Sequence, residues 1–193
     1  MRGYSRMKKS INAKKKPLRI LLYGAECTGK STLGQQLAEH YDSLFVSEYA
    51  RTYAEKVNRV LGYKDVLPIA RGQAIQETKA WKQAVLEQRK MIVVDTDARM
   101  SWMYSDLLNE EVPPWVVNRA LYKKYDVILF CQADGIEWMA DPVRSEKDSR
   151  YIQTAQLRFL LQMTVHLNEP MLPLYGDEKE RFDSAVQMIN HFL

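Results

Sequence analysis

The chain has 193 residues, 46% of them apolar and 27% charged, which is ordinary for one soluble domain large enough for a full hydrophobic core. Its net charge of +4 is local: residues 1–16 hold seven Lys and Arg and no acid, leaving 21 basic against 24 acidic residues over 17–193. That balance argues against a nucleic-acid-binding core, and no apolar run approaches the length of a membrane span.

Taken in order, residues 1–16 read as a basic, disordered and solvated arm, with an electrostatic anchor to polyanions as the alternative. The apolar run Leu18 to Tyr23 predicts a strand, and Leu33, Leu37 and Ala38 at helical spacing predict a helix over 31–41. Between them stands Gly24-Ala25-Glu26-Cys27-Thr28-Gly29-Lys30-Ser31, a full G-x-x-x-x-G-K-[ST] phosphate-binding loop followed by Thr32. A strand-to-helix turn of this kind aims backbone N–H groups inward, and the helix N-terminus adds partial positive charge. Gly24 and Gly29 supply backbone angles that side chains forbid. Lys30 can reach the β- and γ-phosphates, and the Ser31 hydroxyl can ligate Mg²⁺. The sequence therefore predicts binding of a nucleoside triphosphate, with ATP and Mg²⁺ the expected cofactors. The absence of N-K-x-D removes a guanine-selecting element.

Leu44 to Val46 predicts a second strand, ending at Ser47-Glu48-Tyr49-Ala50-Arg51, where a new helix begins. Asp65 is a plausible cap for a long helix over 66–88, with Pro68 in its first turn. Met91 to Val94 predicts a third strand that closes on Asp95-Thr96-Asp97, with helices over 98–108 and from Pro113-Pro114 to Lys124. Val127 to Phe130 predicts a fourth strand. Residues 136–150 read as an irregular charged stretch, 148–167 as helix, Leu172 to Tyr175 as a fifth strand, and 177–192 as the last helix. Five apolar strands alternating with helices imply an α/β fold with a parallel sheet covered on both faces. Cys27 and Cys131 are too few for a disulfide framework, so reduced thiols and a cytoplasmic location are expected.

Ligand sites in such sheets gather at the carboxyl ends of strands. Asp95 follows an apolar strand as a Walker B acid does and would hold Mg²⁺ opposite Ser31; its alternative role is a helix cap, which suits Asp97 better. Glu48 and Arg51, three residues apart, can both face one cleft. There a carboxylate would accept the proton of an attacking hydroxyl and an arginine would hold acceptor oxygens. Their alternative is a local ion pair. Arg144 and Arg150 flank a charged segment able to close over a triphosphate, or simply a solvated loop. Trp138 either stacks on a ring of the acceptor or packs on the sheet.

The segments GAECTGKSTL (24–33), SEYAR (47–51), IARGQ (69–73), VVDTD (93–97) and IEWMADPVRS (136–145), with Arg150 and with YGD and Arg181 near the C-terminus, occur in order. Together they resemble the ribosylnicotinamide kinase domain of NadR-type proteins, in the nucleoside and nucleotide kinase-like group. The resemblance implies a three-layer P-loop NTPase fold with a five-stranded parallel sheet over 17–193 and a lid near 136–150. It implies transfer of the ATP γ-phosphate to the 5′-hydroxyl of nicotinamide riboside. Lys30 and Ser31 would serve the phosphates and Mg²⁺; Glu48, Arg51 and Asp97 would surround the acceptor; Arg144 and Arg150 would belong to the lid; Asp177 and Arg181 would lie near the adenine. NadR-type regulators carry an adenylyltransferase domain ahead of the kinase, whereas here only the arm stands, so no second activity is expected. The position that is aromatic in some members, ahead of EYxR, is Ser47. Another nucleoside or nucleotide kinase, or a P-loop regulatory ATPase acting through a protein partner, are the competing functions.

Overall fold

The structure is a computed structural model, and it describes residues 16–25, 27–108, 110–132, 154, 157–159 and 169–193. The strands are β1 (Leu18–Gly24), β2 (Leu44–Val46), β3 (Met91–Asp95), β4 (Val127–Cys131) and β5 (Met171–Leu174). The helices are α1 (Lys30–His40), α2 (Tyr49–Val57), α3 (Tyr63–Leu86), α4 (Ala98–Leu107), α5 (Pro114–Tyr122) and α6 (Glu178–Asn190). Each strand lies within a residue or two of its expected place.

The sheet runs β2-β3-β1-β4-β5 and every pairing is parallel. Parallel strands flanked by helices are buried on both faces, which is why β4 and β3 up to Val94 are continuous apolar runs, with no exposed residue in either strand. Pro173, which has no N–H for a ladder, sits in the edge strand β5 and is exposed there.

Side chains alternate across the sheet and build two cores. Leu21, Tyr23, Ile92, Val94, Ile128 and Phe130 pack against α3, α4 and α5 on one face. Ile20, Leu22, Val93 and Leu129 meet Leu33 and Leu37 of α1, with Ala185 and Ile189 of α6, on the other. Three layers result. Gly34 sets the depth at which α1 sits, because a Cβ there would lie 2.3 Å from the Phe45 ring and 2.9 Å from Leu22.

The start of α3 differs from expectation. Asp65 is not the cap but the third helical residue; its carboxylate accepts from the Gly62 N–H at 2.9 Å and from both Arg59 Nη atoms at 2.6 and 2.7 Å. Those bonds stabilise one extra turn ahead of Val66. Pro68 therefore falls in the second turn, where its missing N–H leaves the Lys64 carbonyl without its helical donor. Residues 154 and 157–159 are helical, inside the span where a helix was expected, and Phe159 meets Trp102 edge-on with ring centroids 5.5 Å apart. Residues 1–15 of the arm, Glu26, Trp138, Arg144, Arg150 and the rest of the expected lid lie outside the described residues.

Candidate functional site

Because β1, β2, β3 and β4 are parallel, the residues that follow them share one edge of the sheet. The phosphate loop begins there, and its backbone does what the glycines predict. Gly24 has φ 149°, Gly29 has φ 74°, and Cys27 is also left-handed at φ 55°. A Cβ on Gly24 would lie 2.4 Å from the Cys131 carbonyl oxygen, so the loop is pressed against the end of β4. Thr28 closes the turn by donating its hydroxyl to the Ala25 carbonyl at 2.8 Å. Lys30 is buried and donates to the same carbonyl at 2.6 Å. Ser31 and Thr32, on the first turn of α1, are exposed.

The Ser31 hydroxyl donates to Asp95 Oδ2 at 2.6 Å. Asp95 Oδ1 is buried and has no hydrogen-bond partner among the described residues. Burial pushes the Asp95 carboxyl above the ordinary carboxylate range, Lys30 pulls it down, and Glu48 pushes it up again. The carboxylate thus stands in the electrostatic reach of Lys30, Glu48 and Arg51 together. An orphaned acidic oxygen beside a serine hydroxyl and a lysine suits Mg²⁺, which takes one or two protein oxygens and completes its shell with water and phosphate. Among the described residues no group of three or more His, Cys, Asp or Glu is placed to hold a metal ion.

Glu48 is the residue before α2 and is partly buried, and Arg51 Nε approaches its Oε2 at 3.7 Å. The two form a local pair, and both charges also act on the Asp95 carboxylate. Tyr49 beside it packs against α3 at Gly72: a Cβ added there would be 2.0 Å from its ring. Asp97 caps α4, accepting from the Arg99 N–H at 3.0 Å, and its other oxygen stands 3.6 Å from Arg99 Nη1. Burial raises its carboxyl as well, against the pull of Arg99.

Arg181 and Asp177, expected near the adenine, do different things. Asp177 is exposed and caps α6, accepting from the Glu180 N–H at 2.9 Å. Arg181 is buried and donates from Nη1 to the Thr28 carbonyl at 2.8 Å and from Nε to the Gly176 carbonyl at 2.7 Å. It holds the phosphate loop from beneath.

Sequence reasoning missed the charged cluster behind the site. Arg99, fully buried, donates to Glu169 at 2.7 Å and to the Lys123 carbonyl at 3.0 Å. Glu77 of α3 receives Arg119 at 2.9 Å and also pairs with Lys123. The only hint was polar residues at core-facing helical positions.

A family model described as an AAA domain matches residues 19–181. No curated protein is similar to this chain. Among solved structures, NadR protein in complex with NR superposes with a TM-score of 0.74 at 20% identity, covering 91% of this chain and 50% of that one. NadR protein in complex with NAD and AMP-PNP gives 0.68 at 20% identity over 91% of this chain and 49% of that one. The chain thus spans about half the length of the NadR chains it matches. Deoxyadenosine kinase from M.mycoides with bound dATP gives 0.60 at 15% identity, covering 90% of this chain and 99% of the other. Thymidylate kinase from Ehrlichia chaffeensis gives 0.62 at 11% identity over 91% and 100%. The fold expected from the phosphate loop and the strand pattern is therefore the fold of nucleoside and nucleotide kinases.

Proposed function

The chain belongs to the AAA-domain family, and from that premise we propose that it is an ATP-dependent phosphotransferase acting on a nucleoside 5′-hydroxyl in the cytoplasm, with nicotinamide riboside as the leading acceptor. One observation carries the reading: the Ser31 hydroxyl of the phosphate loop donates to a buried Asp95 whose second oxygen has no partner among the described residues, with the charges of Lys30, Glu48 and Arg51 acting on that carboxylate. A nucleoside kinase needs a carboxylate and a cation for the acceptor near the phosphate loop, and Glu48 with Arg51, just after β2, offers that pair. Support for a nucleoside acceptor comes from neighbours of the same fold, one of which holds NR and another of which is a deoxyadenosine kinase.

In this mechanism the loop N–H groups and the α1 N-terminus receive the β- and γ-phosphates, and the Lys30 ammonium exchanges the Ala25 carbonyl for phosphate oxygens. Ser31 and Asp95 would hold Mg²⁺, which neutralises phosphate charge when bound. Phosphoryl transfer asks for little covalent help, so positioning dominates. Glu48 accepts or orients the attacking hydroxyl proton, while Arg51 holds the acceptor's other oxygens. Asp97, whose Oδ1 caps α4 and whose Oδ2 faces Arg99 Nη1 at 3.6 Å, is the remaining carboxylate proposed for the acceptor.

The test is ADP release from Mg-ATP across a panel containing nicotinamide riboside and the common deoxynucleosides. The reading expects slow release alone and a large stimulation by one nucleoside. Stimulation by a deoxynucleoside instead would keep the chemistry and change the acceptor. No stimulation by any member would favour the partner-directed ATPase.

A further inference from the structure

We propose that Gln73 is a positioning residue that fixes Glu48 and Asp95 relative to each other, one side-chain amide bridging the ends of β2 and β3. The proposal rests on the phosphotransferase reading for its catalytic consequence, though not for its structural one.

Gln73 sits in the interior of α3 and is 5% exposed. Its Oε1 accepts from the Tyr49 N–H at 2.7 Å, one residue beyond Glu48. Its Nε2 donates to the Asp95 carbonyl at 3.1 Å and reaches the Thr96 carbonyl at 3.4 Å. The orientation of the amide is dictated by its neighbours, since a backbone N–H can only donate and carbonyls can only accept. Both ends of the amide are thus used, each on a segment that carries a carboxylate of the site. These bonds reach main-chain groups and not the carboxylates of Glu48 and Asp95, so Gln73 acts through backbone.

Two further observations indicate why a clamp belongs here. Thr96 is left-handed at φ 63°, an unfavourable conformation for a β-branched residue that persists only where neighbours over-determine it. Its N–H donates to the Leu22 carbonyl at 3.2 Å, continuing the sheet, so Gln73 and β1 hold the turn from two sides. In addition, β2 is an edge strand of three residues and fixes the start of α2 only weakly by itself. Gly72, next to Gln73, lets the Tyr49 ring lie directly on α3. The Gly72-Gln73 pair is therefore a seat for the Glu48-Tyr49 corner, and the same seat is wired to Asp95.

The experiment compares Gln73→Leu and Gln73→Glu in the full chain by amide hydrogen exchange. The leucine variant removes both bonds, so exchange should rise about tenfold or more at 49–52 and at 96–97 together, with the rest of α3 still protected. The glutamate variant keeps an acceptor for the Tyr49 N–H but has no donor at neutral pH. It should loosen 96–97 and leave 49–52 near wild type. Uniform loosening in both variants, or unchanged exchange at either segment in the leucine variant, overturns the clamp. Steady-state kinetics with Mg-ATP and the nucleoside that stimulates ADP release form the second arm. Turnover by Gln73→Leu should fall about tenfold to a hundredfold, the effect of small misplacements, with the KM for Mg-ATP within about twofold of wild type. A raised KM with unchanged kcat refutes the positioning role. Wild type that no nucleoside stimulates removes the phosphotransferase reading, while the exchange data still decide the clamp.

Discussion

Replacing Gly72 by alanine puts a methyl group 2.0, 2.3 and 2.5 Å from three carbons of the Tyr49 ring. Carbon–carbon contacts settle near 3.5 Å, so the ring must retreat by about 1.5 Å. Tyr49 opens α2 and is bonded to Glu48, and the corner moves with the ring. A displacement of about 1 Å in a reacting group can cost roughly a hundredfold in rate, or about 2.7 kcal/mol of barrier. Folding stability responds far less. Alanine gains about 1 kcal/mol over glycine inside a helix, against about 1–3 kcal/mol for overpacking. The net loss is then about 0–2 kcal/mol, a fall in Tm of a few degrees for a chain of this size. Gly72→Ala should thus lower kcat about a hundredfold in the nucleoside-stimulated ADP-release assay, melt near wild type, and bind Mg-ATP normally by calorimetry. Wild-type kcat in the folded variant would refute the reasoning, because the Tyr49 ring could then slide aside without carrying Glu48.

Gly24→Ala forces φ 149° on an L side chain and drives its Cβ to 2.4 Å from the Cys131 carbonyl oxygen, where only the β1–β4 pairing can give; a loss of about 3–5 kcal/mol is expected, read as a large drop in Tm. Arg181→Met removes the guanidinium that holds the Thr28 carbonyl, and Mg-ATP affinity by calorimetry should weaken about tenfold or more; unchanged affinity would show that the loop keeps its shape without that prop. Asp65→Asn loses charge-assisted bonds from Arg59, for about 2–3 kcal/mol in denaturant unfolding at pH 7. The Arg59 guanidinium holds the Asp65 carboxyl well below its usual 3.8. Its contribution is therefore complete above about pH 4 and disappears as pH falls through the lower folded-state value. The gap between wild type and variant should close on acidification; a gap independent of pH would assign the loss to packing.

The parts of the site written as short, ordered patterns were legible in the sequence. A glycine-rich loop between an apolar run and a helical one specifies backbone geometry locally, and the left-handed angles at Gly24 and Gly29 follow. Acids that end apolar strands fall at one sheet edge once the strands are parallel, which brought Glu48 and Asp95 together. Contacts between distant segments left no local signal. Gln73 looks like any polar residue in a long helix, yet it is buried because two strand ends approach it. Arg99, which follows the capping Asp97 with no pattern of its own, is buried against Glu169, some seventy positions on. Arg181 was expected by resemblance near the adenine; its bond to the Thr28 carbonyl, which depends on α6 packing against α1, left no local signal. The start of α3 moved for a comparable reason, since the partner of Asp65 is Arg59, ahead of the helical pattern.

The most direct measurement follows the label from ATP carrying ³²P at the γ-position, in the presence of Mg²⁺ and the nucleoside that stimulates turnover. The account predicts that the label appears in a nucleoside monophosphate, that mass spectrometry places it on the 5′-oxygen, and that Glu48→Gln suppresses its transfer while ATP still binds. Label recovered only as inorganic phosphate, at a rate indifferent to every nucleoside supplied, would contradict it.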